Sequence, residues 1–243
     1  MRTLWLMYKI DVKLSIREFS GVLFGVLVPI GLIILLGIIY GDDEYAASQI
    51  GIAFGAVGTL GIASAGLMGL PITLSDYRQR KILKRYKVTP ISPMTLLMSG
   101  VLLCFSLSIA SMALIYVIST TMFGFVMQGS WPTFISVYLF VMVSIHAIGM
   151  KVASLAPNAQ IAGVIASAIY FPMIFLSGAT IPLEIMPGAM QTLSNFLPLT
   201  HGITLLQTVS LGQPLTDSMF SFLVLGIIVV LGSAISLKAF RWE

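Results

Sequence analysis

Charge is scarce in this sequence. Only 9% of the 243 residues are Asp, Glu, Lys or Arg and 58% are hydrophobic, whereas an average soluble protein is roughly 25% charged. So few charges cannot cover the surface of a soluble domain of this length. The single cysteine, Cys104, lies in an apolar run, so an intrachain disulfide is excluded. The composition therefore predicts an integral membrane protein.

Motifs for catalysis are also missing. The chain contains no G-x-x-x-x-G-K-[ST] phosphate loop and no H-E-x-x-H, and it has two histidines in all. Ser177 and His201 are the only candidates for an intramembrane serine protease, and His201 falls in a predicted loop. Since acidic residues fall near membrane edges or in loops, a secondary transporter is a weaker alternative. We predict no catalytic residue and no metal site in this chain.

Long intervals without charged residues predict six membrane spans, because a spanning helix needs ~20 apolar residues. Their predicted limits are 20–40, 49–74, 95–122, 132–154, 159–179 and 217–238. The interval 185–216 is long enough but is interrupted by prolines, Asn195 and His201, so 180–213 is predicted to be a partly re-entrant outer segment. The predicted fold is a single all-α membrane domain, 1–243.

Positive charge is confined to one side of this topology. With six spans, all 13 Lys and Arg residues fall on the side of the two termini. The charged residues on the other side are all acidic, namely Asp42, Asp43, Glu44, Glu184 and Asp217. Since Lys and Arg are retained in the cytoplasm, we predict a multi-pass protein of the inner (cytoplasmic) membrane with both termini cytoplasmic.

Two basic segments have helical periodicity. In 2–18, cations recur every four residues beside an apolar face, which predicts an amphipathic interfacial helix that contacts membrane lipid. The string RQRKILKRYK, 78–87, places Ile82, Leu83 and Tyr86 at helical spacing among six cations, which predicts a short cytoplasmic helix. Such a loop either only fixes the topology or also has a mechanical role.

Two strings carry a resemblance to a known family. RQRKILKRYKVTPIS resembles the cytoplasmic loop of ATP-binding-cassette permeases of the type 2 superfamily. FLSGATIPLEIMPGAMQTLSNFLPLTHGITLLQ, 175–207, is similar to their extracellular segment. The chain resembles the drug and antibiotic exporters of the daunorubicin-resistance kind more than the polysaccharide exporters. It departs from the family at Gln79 and Lys81, where Glu and Gly are common.

The resemblance implies one half of a transport pathway, completed by a second permease subunit, either another copy or a paralogue. Two copies of a cytoplasmic ATPase subunit would bind ATP and Mg, so this chain needs no cofactor of its own and no nucleic acid. The loop 76–91 would contain the coupling helix that contacts the ATPase. Its candidate contact residues are Asp76, Arg78, Arg80, Lys81, Ile82, Leu83, Lys84, Arg85 and Tyr86.

The resemblance also suggests where a substrate would pass. The candidate pathway residues at the end of the fifth span are Phe171, Met173, Phe175 and Ser177, and lipid contact is their alternative role. The candidate outer cap consists of Pro182, Glu184, Pro187, Pro198 and His201. The expected substrate is an amphipathic drug, antibiotic, peptide or lipid. The alternative is a polysaccharide or a lipid-linked glycan.

Three further features have two interpretations each. His146 and Lys151 lie late in the fourth span, where an ionisable residue is a functional candidate, although a lysine near the surface can extend to it. The second span carries small residues at three- and four-residue spacing, which favours close helix packing. Alternatively, this smooth helix slides when the coupling loop moves.

Overall fold

The computed structural model describes residues 2–18, 20–40, 46–80, 93–181 and 183–239, which are helical apart from short turns. The helices are α1 (Arg2–Glu18), α2 (Ser20–Val22, Leu23–Leu27 and Val28–Tyr40), α3 (Ala46–Ala63, Ser64–Gly69 and Leu70–Gln79), α4 (Pro93–Phe123), α5 (Trp131–Leu155), α6 (Ala159–Leu176), α7 (Gly188–Ser194), α8 (Pro198–Ser210) and α9 (Met219–Ala239). Among the described helices, α2 to α6 and α9 are the six that are long and apolar enough to cross a membrane. This confirms the predicted number of spans and the all-α class.

Helix α3 is the centre of the bundle. In its most apolar stretch 94% of the residues are buried inside the protein, compared with 28% in α2 and 22% in α6 and α9. It packs against α2, α4, α5, α6 and α8. The outer helices expose large apolar side chains on their outward faces, which suits helices that contact lipid because lipid tails are as apolar as the side chains themselves.

Close packing around α3 depends on glycine at two helix crossings. A Cβ added to Gly149 of α5 would lie 1.9 Å from the carbonyl oxygen of Gly66 in α3. A Cβ added to Gly55 of α3 would lie 2.8 Å from the backbone nitrogen of Gln207 in α8. Backbone cannot move aside as a flexible side chain can, so neither site accepts a larger residue. These contacts support the packing interpretation of the glycine-rich span, and a sliding motion stays a prediction.

Two turns within the spans are widened into π-helix, and each lies just before a proline. Leu23–Leu27 ends two residues before Pro29, and Ser64–Gly69 ends two residues before Pro71. Proline has no N–H group, and its ring clashes with the carbonyl four residues earlier. A wider turn relieves that clash without ending the helix. In α3 the widened turn contains Gly66, the residue that meets α5.

Helix α8 lies within the bundle. It packs against α3, α5 and α9, and most of its side chains are buried. Pro198 starts the helix at a position where a missing N–H group costs nothing. The short helix α7 and the turn Leu183–Ile185 lead into it from α6. The prolines that interrupt the interval 185–216 therefore separate short helices.

The two ends of the bundle differ in charge. Helix α1 packs along α4 and lies at the same end as the C-terminus of α3 and the turn between α5 and α6. We call this the basic end, because it contains the cations of α1, α3 and α5 whose side chains are described, together with Arg80 directly after α3, namely Lys9, Lys13, Arg17, Arg78, Arg80 and Lys151. The placement of α1 in a membrane interface stays a prediction, as does the cytoplasmic location of this end.

Candidate coupling joint and candidate pathway

Helix α3 continues past its apolar stretch to Gln79, so the first four residues of the predicted coupling loop are part of the same helix. Asp76 and Arg80 form an ion pair one turn apart, with the Arg80 Nε atom 2.8 Å from the Asp76 carboxylate. The Arg80 side chain is 65% exposed, so this pair adds little stability. Lys81, Ile82, Leu83, Lys84, Arg85 and Tyr86 lie outside the described residues, and their contact roles stay predictions.

A buried carboxylate joins α1 to the end of α3. Asp11 of α1 is 7% exposed, and its Oδ1 atom accepts a hydrogen bond of 2.8 Å from the Tyr77 hydroxyl. The other carboxylate oxygen accepts a hydrogen bond from the Ser99 hydroxyl of α4. Burial raises the pKa of Asp11, and the two hydroxyl donors oppose that shift. One side chain thus links three helices.

Arg78 and Gln79, the two residues that follow Tyr77, form hydrogen bonds to α5 and α6. The Arg78 guanidinium donates hydrogen bonds through Nη1 to the carbonyl oxygens of Ala153, at 3.1 Å, and Ala156. The backbone N–H of Ala159, the first residue of α6, donates to the Gln79 side-chain oxygen at 3.1 Å. We call Tyr77, Arg78 and Gln79 the coupling joint, because these three consecutive residues form hydrogen bonds to three other helices, α1, α5 and α6.

Arg78 is among the candidate contacts that the sequence predicts, whereas Asp11, Tyr77 and Ser99 are not. A signal for Asp11 was present. It is an acidic residue inside a basic amphipathic segment, and it lies one turn from Met7, on the face of α1 that is buried. An acidic residue on the buried face of a helix requires donors from its neighbours. Which donors these are depends on the packing of α3 and α4, which periodicity does not reveal.

The four candidate pathway residues do not share one surface. Phe171 and Phe175 are exposed on the outer face of α6, whereas Met173 faces the core and is 8% exposed. Ser177, which caps the C-terminus of α6, is fully buried. The structure therefore separates two aromatic rings at the periphery from two residues in the interior, and their pathway roles stay predictions.

Ser177 lines a cavity of about 110 Å³ at the end opposite the basic end. Its walls come from α2, α3, α8 and the turn after α6. The lining residues are Leu36, Tyr40, Ile52, Ala53, Ala56, Ser177, Gly178, Ala179, Thr180, Leu183, Ile203, Thr204 and Gln207. Gly178 has φ +85°, a left-handed conformation that suits glycine and reverses the chain after Ser177. The cavity is lined by apolar and uncharged polar side chains.

The cap residues are distributed along this same end. Pro187 precedes α7 and Pro198 begins α8. His201 is buried, with Nε2 2.9 Å from the carbonyl oxygen of Asn195 and Nδ1 3.0 Å from the Ser221 hydroxyl of α9. The carbonyl can only accept, so Nε2 donates and Nδ1 accepts, and His201 fastens α8 to its neighbours. Pro182 and the side chain of Glu184 lie outside the described residues.

The two candidate positions in α5 differ in surroundings. Lys151 is exposed. His146 is 2% exposed, and its Nδ1 atom lies 2.8 Å from the carbonyl oxygen of Met142. It packs edge-on against Phe105, with ring centroids 4.6 Å apart.

In the part of the chain that the structure describes, no group of His, Cys, Asp or Glu side chains could hold a metal ion.

A family model for ABC-2 type transporters matches residues 2–211. The chain belongs to this family. It is therefore a multi-pass membrane domain of an ABC-2 type transporter, which confirms the resemblance to the type 2 superfamily seen in the sequence.

Curated relatives of this ABC-2 permease include proteins called Nodulation protein J. The one from Rhizobium leguminosarum bv. viciae is 36% identical over 95 residues, which is 39% of this chain and 37% of the relative. The one from Rhizobium meliloti (strain 1021) is 38% identical over 69 residues, 28% of this chain and 26% of the relative. These alignments span about a third of the relatives' length or less, so they define similarity over part of the chain.

Proposed function

We propose that this ABC-2 permease forms half of the pathway of an ATP-driven exporter, and that a separate ATPase subunit binds and hydrolyses ATP with Mg. Family membership supports an ATPase partner. The coupling joint is the structural feature that best supports the proposed mechanism. The central helix of the bundle ends in three side chains that hold α1, α5 and α6, and Asp11 extends these links to α4. The segment proposed to dock on the ATPase follows directly.

The mechanism follows from this continuity. Binding of ATP closes the paired ATPase subunits and draws the docked segments together. Because α3 is a continuous helix from the joint to the bundle centre, a displacement of its end moves the central helix and the elements bonded to it. A rigid, hydrogen-bonded joint transmits such a displacement better than a flexible loop does. Hydrolysis then returns the pathway to its resting conformation.

A second permease subunit completes the pathway in this proposal. The outward faces of α2 and α6 expose large apolar side chains, including Ile38 and Ile39 of α2 and Phe171 and Phe175 of α6. These faces are proposed to meet those of another copy or a paralogue. Two permease chains and two ATPase chains are expected per complex. Native mass spectrometry of the purified complex measures this ratio, and a single permease chain in an active complex would contradict it.

The transported molecule is proposed to be amphipathic, such as a drug, antibiotic, peptide or lipid. A glycan linked to a lipid is the second candidate. One observation favours it over a charged substrate, namely that hydroxyl and amide side chains, without charged groups, line the cavity beside Ser177. Sugar hydroxyls and amides are recognised by hydrogen-bonding groups of this kind.

The proposed orientation places the basic end in the cytoplasm. Epitope tags inserted after Asp42 and within 185–216 are expected to react with an impermeant label in intact cells, because the positive-inside rule places both positions outside. A tag after Glu243 serves as the control and is expected to react only in permeabilised cells. Labelling of either of the first two tags only after permeabilisation would reverse the orientation.

A further inference from the structure

The cavity beside Ser177 contains a buried hydroxyl that the fold does not satisfy. The Ser177 side chain is fully buried, and its Oγ atom has no hydrogen-bond partner among the described residues. Serine hydroxyls in helices commonly bond the carbonyl three or four residues earlier, as those of Ser194 and Ser210 do. The backbone N–H of Ser177 donates to the Met173 carbonyl at 3.0 Å, but the Ser177 hydroxyl does not share that acceptor.

Other buried hydroxyls without a partner in the described part of the chain belong to Ser75, Ser111, Ser119 and Thr200. None of these lines the cavity, whereas Ser177 does. A buried hydroxyl without a partner is unfavourable, and here it belongs to a residue that lines an open volume. This combination distinguishes Ser177 from a residue left unpaired inside a packed core.

The rest of the lining defines what fits there. Gln207 donates through Nε2 to the carbonyl oxygen of Ile52 at 3.0 Å, which fixes its side chain across the wall from α8 to α3. Thr204 donates to the Thr200 carbonyl, so its hydroxyl oxygen can still accept a hydrogen bond. Ala53 and Ala56 keep the wall of α3 open. The lining residues can form hydrogen bonds, and none of them carries a charge that a charged ligand could pair with.

We propose that this cavity is a binding subsite for one uncharged, hydrogen-bonding group of an amphipathic substrate, a hydroxyl or an amide such as a sugar ring carries. A volume of about 110 Å³ holds a few non-hydrogen atoms and not a whole molecule. The subsite therefore recognises part of a head group, and the acyl or aromatic part lies along the apolar surfaces outside. This inference rests on the proposed export function and specifies its substrate class.

The test uses the complex of permease and ATPase in lipid nanodiscs, without ATP. The probe is octyl β-glucoside with a photoreactive diazirine on the sugar, and labelled peptides are identified by mass spectrometry. Labelling of 177–183 and of α8 is expected in the unmodified protein. Octyl sulfate and octyltrimethylammonium are expected to compete weakly, because the lining has no charge to pair with them, whereas unlabelled octyl β-glucoside competes fully.

Two variants separate binding from folding. Ser177→Ala is expected to lower labelling about 3- to 10-fold, the loss of one neutral hydrogen bond, with an unchanged or higher melting temperature because an unpaired hydroxyl is removed. Ser194→Ala is the matched control. Its hydroxyl bonds the Gln191 carbonyl and does not line the cavity, so labelling is expected to stay unchanged.

Three outcomes would overturn the subsite. Labelling that Ser177→Ala does not change, equal competition by the charged probes, or absence of labelling, as with a cavity that holds water alone, would each do so. Because labelling is measured without ATP, its failure leaves the ATPase partnership untouched. Conversely, a complex that is labelled as expected but neither hydrolyses ATP nor exports would contradict the proposed function and leave the subsite intact.

Discussion

The double variant Leu83→Ala/Tyr86→Ala is expected to insert into the membrane normally and to lose its ATPase partner. The change leaves all six cations of 78–87 in place, so the topology signal is intact. If the segment docks in a groove of the ATPase, its apolar anchors carry much of the contact energy. Truncation of an interface anchor commonly costs ~2 kcal/mol or more, and two such losses weaken binding by roughly 1,000-fold.

The measurement is co-purification of the ATPase with the tagged permease, together with hydrolysis by the complex. Phe220→Ala/Leu223→Ala is the matched control. It removes an aromatic and a leucine at the same three-residue spacing from the exposed face of α9, and the ATPase is expected to remain bound. If the Leu83→Ala/Tyr86→Ala complex stays intact and exports normally, the basic loop only fixes the topology.

Charge reversal in the same loop is expected to act on rate. In Lys84→Glu/Arg85→Glu the apolar anchors remain, so association slows and becomes strongly dependent on salt, because steering charges act over about 10 Å at 0.1 M ionic strength. Comparison of this variant with Leu83→Ala/Tyr86→Ala distinguishes residues that set the strength of ATPase binding from charges that set its rate.

Asp11→Ala is expected to retain the ATPase and to uncouple its hydrolysis from export. The substitution removes the acceptor of both the Tyr77 and the Ser99 hydroxyls. Each hydroxyl left without a partner costs about 1–3 kcal/mol, so the joint between α1, α3 and α4 loosens. Coupling free energies of 1–3 kcal/mol correspond to roughly 5- to 150-fold, and export per ATP hydrolysed is expected to fall within that range.

The ratio of export to hydrolysis separates this role from a loss of stability, which would lower both in proportion. Asp11→Asn retains one carbonyl acceptor and is expected to restore part of the ratio. Lys13→Ala, on the exposed face of the same helix, is the control and is expected to leave the ratio unchanged. A wild-type ratio in Asp11→Ala would show that the joint does not transmit the motion of the segment.

Much of this fold follows from local properties of the chain. The number of spans is encoded in hydrophobic runs, since each span must satisfy its own backbone and expose apolar side chains to lipid. Prolines in 185–216 correctly indicated that this interval is not another regular span. The packing of α8 against α3 depends instead on Gly55 facing Gln207 across a contact distant in sequence. Single-sequence periodicity carries no information on that pairing.

The candidate site divides in the same way. Arg78 and Asp76 were identified because they belong to a motif, and Ser177 because it belongs to a string similar to the family's extracellular segment. The residues that these side chains contact in the folded protein were not identified. Asp11 reaches Tyr77 across 66 positions, and the cavity beside Ser177 is assembled from four separate segments. Both are properties of packing that no local pattern specifies.

ATP-driven export is tested most directly by measuring ATP hydrolysis and export by the purified chain in liposomes, with and without its ATPase subunit. We expect neither hydrolysis nor export by the chain alone, because the chain has no phosphate loop. Both activities are expected when the ATPase and ATP are supplied together. Hydrolysis by the chain alone, or export driven by an ion gradient without the ATPase, would exclude a permease that depends on a separate ATPase subunit.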